Sequence, residues 1–284
     1  MKLIIIGHGN IGRAAEEAIK NAPDIDLVGV YHHNDNLDAV HADVALVCTP
    51  SREVPIFIPQ LLNRGICTVD SYDIHSNIFD LRQNFDGLCR ASQTVSIVSA
   101  GWDPGSDSMV RALMTALVPE GELYTNFGPG RSMGHTVAAK AIPGVKDALS
   151  MTLPAGKGKH NRHVYIELEE GFDFEQVKKA LLHDDYFAHD YTIVEQVPNV
   201  ETLQTTDHGV FIERNGICGG KDNQQLGFTM RINNPALTGQ FMVACARAAY
   251  RLRQQERYGA YTTIELAPID LLPGTLKDRI CGLV

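Results

Sequence analysis

The run Lys2-Leu3-Ile4-Ile5-Ile6-Gly7-His8-Gly9-Asn10-Ile11-Gly12 constrains the fold of this chain more than any other stretch. Branched aliphatic residues make Lys2 to Ile6 an apolar strand, and the glycine-spaced segment leads directly into Ile11 to Ala22, where apolar residues recur at helical spacing. A strand that becomes a helix across Gly-x-Gly-x-x-Gly is the opening of a βαβ unit. Gly7 permits the tight turn, Gly9 lets the backbone approach a diphosphate, and Gly12 allows the helix to pack closely. The free N–H groups at the helix start attract an anion. Gly7, His8, Gly9, Asn10, Ile11 and Gly12 are therefore the candidate binding loop for a dinucleotide.

The alternation continues. Leu27 to Tyr31, Val44 to Cys48, Ile66 to Val69 and Val95 to Val98 are short apolar runs. Between them, helical spacing spans Val54 to Arg64, with Pro55 tolerated in the first turn, and about Asn77 to Arg90. Strand and helix in turn predict an α/β fold, a Rossmann-type doubly wound parallel sheet. After Gly101 the texture changes: Gly128-Pro129-Gly130 and Pro143-Gly144 punctuate the chain, and Val164 to Leu168 and Thr229 to Ile232 alternate as strands. This predicts a second, mixed α+β domain. Asn234-Pro235 then opens a helix to about Arg253, with Asn as N-cap and Pro at the first helical position, which packs back on the first domain. The expected division is 1–100 plus 235–284 for dinucleotide binding, and 101–234 for substrate binding and dimerisation.

Thirty-four acidic against twenty-five basic residues give a net charge of −9, which repels a phosphate backbone and argues against a nucleic-acid partner. The apolar start stops at Gly7, short of a signal-peptide core, and no run approaches the ~18 apolar residues of a membrane helix. A cytoplasmic enzyme without a membrane partner is expected. The six cysteines are scattered and form no C-x-x-C pair, so reduced thiols are expected, with Cys48, Cys67 and Cys245 in the core.

An acid at the end of the second strand would bond a ribose 2′-hydroxyl, whereas basic groups would hold a 2′-phosphate. Here the chain reads Tyr31-His32-His33-Asn34, with Asp35 just beyond. His32, His33 and Asn34 favour NADP, with NAD possible. A metal site built from His32, His33 and His41 is not expected, because no Cys or carboxylate completes a ligand spacing.

Ligands of doubly wound sheets lie beyond the carboxyl ends of the strands. Those segments read Cys48-Thr49-Pro50-Ser51, Asp70-Ser71-Tyr72-Asp73-Ile74-His75 and Ala100-Gly101-Trp102-Asp103-Pro104-Gly105. Cys48, Thr49, Pro50, Ser51, Pro104 and Gly105 are candidate cofactor contacts. Asp73 and Asp103 are the candidate acids, although position alone leaves Asp73 as a helix cap and Asp103 as the start of an Asp-Pro turn.

The stretches V-D-S-Y-D-I-H, S-A-G-W-D-P-G, N-F-G-P-G-R-S-M-G-H, A-I-P-G-V and M-R-I-N-N-P-A-L-T together resemble the meso-diaminopimelate dehydrogenases, in their shorter-chained branch. The resemblance runs from Lys2 to about Pro273. It implies NADP-dependent oxidative deamination of the D-centre of meso-2,6-diaminopimelate to L-2-amino-6-oxopimelate and ammonia, a reversible step of lysine biosynthesis, in a homodimer. It puts Asp73 and Asp103 beside the reacting amine as catalytic residues, with Trp102, Met133 and Gly134 shaping that end. Thr152, Arg162 and His208 match the residues receiving the distal carboxylate, and Phe127 and Asn234 match pocket and distal-end contacts. His33 and Asn34 stand where the family usually has two arginines. Two ammonium and two carboxylate groups on one substrate call for acids at one point and a planar cation at another, and guanidinium binds carboxylate bidentately. The residues by themselves leave Arg162 as part of a basic loop, His208 as an interior histidine, Asn234 as a cap, and Phe127 and Met133 as core. Rival readings are a dehydrogenase of other diamino acids or of D-amino acids broadly, and a catalytically silent nicotinamide sensor.

Overall fold

Strands buried on both faces need apolar residues at consecutive positions, and the first strands of this chain have them. In the computed structural model, which describes residues 1–32, 35–37, 39–203 and 207–284, with only the backbone of Met133, the chain runs β1 (Lys2–Ile6), α1 (Asn10–Lys20), β2 (Asp26–Tyr31), β3 (Val44–Val47), α2 (Val54–Leu62), β4 (Cys67–Asp70), α3 (Ile78–Ser92), β5 (Val95–Val98) and α4 (Ser106–Leu117). It continues through β6 (Glu120–Phe127), β7 (Gly130–Arg131), α5 (Met133–Lys140), β8 (Val145–Gly156), β9 (Lys159–Leu168), α6 (Phe174–His183), β10 (Tyr191–Gln196), β11 (His208–Cys218) and β12 (Lys221–Ile232). It returns in α7 (Asn234–Gln254) and β13 (Gly259–Thr262), followed by α8 (Pro268–Leu271) and α9 (Leu276–Leu283).

Two compact units result, Met1–Ala112 with Asn234–Val284, and Leu113–Asn233. Residues 101–112 and Asn234, which the sequence assigned to the second domain, pack with the first unit. The reason is local: the Trp102 N–H donates to the Thr238 hydroxyl on α7, and Thr263 donates to the carbonyl of Gly105, so this loop is tied to the returning chain.

The first unit is the doubly wound parallel sheet, in the order β13-β5-β4-β3-β1-β2. Alternation along the strands divides its core in two. Leu3, Ile5, Leu46, Val69 and Ile97 face α1 and α7, whereas Ile4, Ile6, Ala45, Val47 and Val98 face α2 and α3. The second unit has two sheets, β10-β9-β8-β7 and β12-β11-β6. Predicted strands and helices of the first unit recur with ends moved by one or two residues, and β13 was not foreseen. Val164 to Leu168 proves to be the end of a longer strand beginning at Lys159. Asn234 is the first helical residue rather than the one before it.

Helix α7 lies so close to α1 that a Cβ built on Gly239 would sit 2.6 Å from the amide nitrogen of Ala15. Backbone cannot yield there as a side chain would. Gly239→Val is expected to destabilise the fold by about 1–3 kcal/mol, seen as a Tm lower by several degrees; an unchanged Tm would contradict the close packing. Among the described residues no helix is long and apolar enough to cross a membrane. All six cysteines are free thiols, and burial pushes those of Cys48 and Cys89 up to about 12.

Candidate functional site

The glycine loop has the geometry its spacing predicts. Gly7 has φ of +91°, and a Cβ on Gly12 would collide with the carbonyl of Gly7, so the helix start is drawn against the strand end. Around Gly9 there is open space, and no side chain caps the N-terminus of α1. The first N–H groups of that helix are thus presented to a ligand, as an anion site requires. His8 is turned away to Glu16 (2.7 Å), and Arg13 clasps the His8 carbonyl and the Asn10 side chain. Ile11 packs into the core beneath.

The loop after β3 lies against the same turn, since a Cβ on Gly7 would meet the Cys48 carbonyl at 2.8 Å. The Thr49 hydroxyl is buried with no partner among the described residues, which suits a site that a nucleotide completes. Pro50 is exposed, and its carbonyl accepts from Glu53. Together the open glycine, uncapped helix and orphaned hydroxyl fit a dinucleotide. At the end of β2, the Asp35 carboxylate accepts from the backbone N–H of His32, whose ring lies edge-on to His8 at 6.4 Å. His33 and Asn34 lie outside the described residues.

Asp73 caps no helix. The Ser51 hydroxyl donates to its carboxylate at 2.6 Å and accepts from its N–H at 3.1 Å, a reciprocal pair that holds the exposed acid. Ser51, expected against cofactor, is seen here bonded to Asp73. The acid-bearing loops after β4 and β5 share an anchor that sequence reading missed. One Asp70 oxygen accepts N–H groups from both Tyr72 and Ser99, and burial pushes that carboxyl up to about 6.

The loop 101–105 is a tight turn. Gly101 and Gly105 bridge, and a Cβ on Gly105 would collide with the Gly101 carbonyl. The Gly105 N–H is taken by Ser108 and its carbonyl by Thr263, while the Pro104 carbonyl accepts from Gly101. Asp103, which has little exposure, forms an ion pair with Arg111 from the second turn of α4. Asn234 accepts from Thr238, which in turn accepts the N–H of Trp102, so the asparagine steadies the tryptophan loop from α7.

In the second unit, Arg162 sits on β9 opposite Thr152 of β8 and is only 8% exposed, not part of a solvated loop. Its Nε donates to Asp190 at 2.7 Å, and its Nη1 donates to the Thr152 hydroxyl. A buried guanidinium needs such a carboxylate. Asp190, 28 residues away in the chain, carried no sequence signal. Beside Arg162 is His135, which pairs with Ser132 (2.9 Å) and meets Tyr186 and Phe187 edge-on. Burial, then the Arg162 charge, hold its imidazole below the usual range, so it is neutral at physiological pH. His208 opens β11, and burial likewise lowers it, partly opposed by Asp207. Phe127 ends β6 and meets His160 edge-on at 6.1 Å. Gly134 lies in the first turn of α5, and the Met133 side chain lies outside what is described. The structure thus joins Thr152 and Arg162 directly within this unit, and Asn234 and Trp102 through Thr238 in the first.

Comparison with known proteins gives the chain a family. A family profile for the diaminopimelic acid dehydrogenase C-terminal domain matches residues 101–234. The meso-diaminopimelate D-dehydrogenase of Bacteroides fragilis is 48% identical, covering 100% of this chain and 99% of that one. Among solved structures, the Corynebacterium glutamicum DAP dehydrogenase in complex with DAP is 31% identical with a TM-score of 0.81, covering 100% of this chain and 99% of that one. An engineered D-amino acid dehydrogenase bound to NADP+ is 30% identical with a TM-score of 0.75, at the same coverage.

Proposed function

Because the chain belongs to the meso-diaminopimelate D-dehydrogenase family, a family of amino acid dehydrogenases acting on CH–NH2, we propose that it oxidatively deaminates the D-centre of meso-2,6-diaminopimelate, using NADP. The products are L-2-amino-6-oxopimelate and ammonia, and the reaction is reversible. The observation that carries the substrate assignment is the buried Arg162 guanidinium, fixed in plane by Asp190 and Thr152. A planar donor held so firmly suits a carboxylate remote from the reacting carbon. Thr152 and the neutral His208 add hydrogen-bonding capacity there, with Phe127 and Asn234 as further contacts.

The glycine loop and the segments 48–51 and 104–105 hold NADP, which accepts the hydride from the substrate carbon. NADP over NAD is supported by the NADP+-bound relative and by the imidazole and amide side chains at 32–34, although Asp35 lies close by. Asp73 and Asp103 receive the amino group, and Trp102, Met133 and Gly134 enclose it. As hydride leaves, positive charge builds on nitrogen, and fixed carboxylates stabilise the iminium that water then attacks. The same carboxylates stabilise the starting ammonium, which must lose a proton before its lone pair can assist. Holding both the amine and the distal carboxylate leaves one hydrogen to face the nicotinamide, which selects the D-centre. A cytoplasmic homodimer is the working form in this reading.

Purified protein is expected to reduce NADP, read as absorbance at 340 nm, with meso-diaminopimelate, with the L,L isomer inert and NAD weaker. Activity with D-amino acids alone would favour the broader dehydrogenase, and tight cofactor binding without turnover would favour a silent sensor. Deamination should accelerate as pH rises above neutrality, and amination of the keto acid should favour lower pH, because the proton must leave nitrogen in one direction and return in the other. A deamination rate flat across that range would contradict this scheme.

A further inference from the structure

An acid with a reference pKa near ~4 is poorly matched to deprotonating an ammonium group. Next to Asp103 the structure holds a second acid, Asp107. Asp107 lies in the first turn of α4, and its N–H donates to the Trp102 carbonyl at 3.1 Å, which closes the loop that carries Asp103. The residue is 0% exposed, and neither carboxyl oxygen makes a hydrogen bond of ordinary geometry. The charged groups facing it are Asp103, from the loop, and Arg111, one helical turn farther along α4; the Trp102 indole approaches it as well. Arg111 is the guanidinium already paired with Asp103. Asp103 thus holds the guanidinium in an ion pair, while the fully buried Asp107 faces the same cation without bonding it.

We propose that Asp107 is a positioning residue that governs Asp103 through Arg111: when Asp107 ionises, its charge competes for the guanidinium and loosens the Asp103–Arg111 ion pair, freeing the Asp103 carboxylate for the substrate nitrogen. The proposal rests on the amine-binding reading of Asp103 above. In the step it governs, an N–H bond of the substrate ammonium breaks, its electron pair stays on nitrogen, and an O–H bond forms on Asp103. Asp107 takes no proton from the substrate. Burial, then the charge of Asp103, push the Asp107 carboxyl up to about 7, so the change falls where deamination is expected to accelerate.

Asp107→Asn keeps the shape and removes the charge. The wild type should show a rise in deamination kcat near pH 7. In the variant that rise should disappear and kcat at pH 9 should fall by about tenfold or more, with KM for diaminopimelate changed less than about threefold. A melt series over pH 5 to 8 gives an independent readout. The folded-state pKa of Asp107 lies above its unfolded value, so the stability it contributes is present at low pH and lost as pH rises through 7. The variant should therefore gain Tm relative to wild type as pH rises. Asp107→Ser makes the same comparison if Asp107→Asn does not fold. An active wild type whose variant keeps its pH profile overturns the proposal, as does a Tm difference constant across pH. A wild type that reduces no NADP with diaminopimelate sinks the functional reading, and the proposal with it, while the melts still report whether Asp107 is a buried acid.

Discussion

Asp103→Ala is expected to lower kcat/KM for meso-diaminopimelate by about 10³-fold or more while leaving NADP affinity within about twofold. The size follows from what fixed charges and proton-transfer groups contribute in other enzymes, typically ~10² to 10⁴-fold each. Asp103 would serve both purposes, as counter-ion to the developing iminium and as acceptor of the ammonium proton. Its geometry suits the role, because the pair with Arg111 fixes the carboxylate in a nearly buried turn. Alanine also takes that carboxylate away from Arg111, so Asp103→Asn, which preserves the shape, is the companion variant. Titration of NADP by fluorescence separates the outcomes. A loss of cofactor affinity equal to the loss of turnover would make Asp103 a structural part of the loop.

Arg162→Met is expected to reduce diaminopimelate turnover sharply and to spare small D-amino acids, which do not reach the distal position. Removing one partner of a buried charged contact costs about 2–5 kcal/mol, equivalent to roughly 30- to 5,000-fold in kcat/KM. The structure adds a complication: the variant leaves Asp190 without the guanidinium it holds at 2.7 Å. The double variant Arg162→Met with Asp190→Asn removes that stranded charge, and should recover stability without recovering diaminopimelate turnover. Equal losses on long and short substrates would mean that Arg162 supports the fold of the second unit and reads no substrate carboxylate.

The parts of the molecule legible in the sequence are those whose determinants are local. The glycine loop, the parallel strands and α7 each carry their signal within a dozen or so residues, as apolar period, glycine spacing or an Asn-Pro start. The ends moved by a residue or two because helix and strand termini depend on packing. Strand β13, Gly259–Thr262, was missed because its Gly-Ala-Tyr-Thr gives no apolar run; it forms by pairing with β5 at the sheet edge. Arg162 looked solvated among Lys157, Lys159 and His160, yet strand pairing puts it opposite Thr152. Asp70, Asp107 and Asp190 were not singled out. Their roles come from burial and from partners up to 29 residues away. The partners of Asp70 and Asp190 are brought to them by tertiary packing, whereas those of Asp107 lie four residues to either side and act through its burial.

A crystal structure of the enzyme with NADP and meso-diaminopimelate tests the central claim most directly. The amino nitrogen of the D-centre is expected within hydrogen-bond distance, about 2.7–3.2 Å, of a carboxylate oxygen of Asp103, and the distal carboxylate on the guanidinium of Arg162. A substrate bound with its L-centre toward the nicotinamide, or with its amino group turned away from both Asp73 and Asp103, would contradict it.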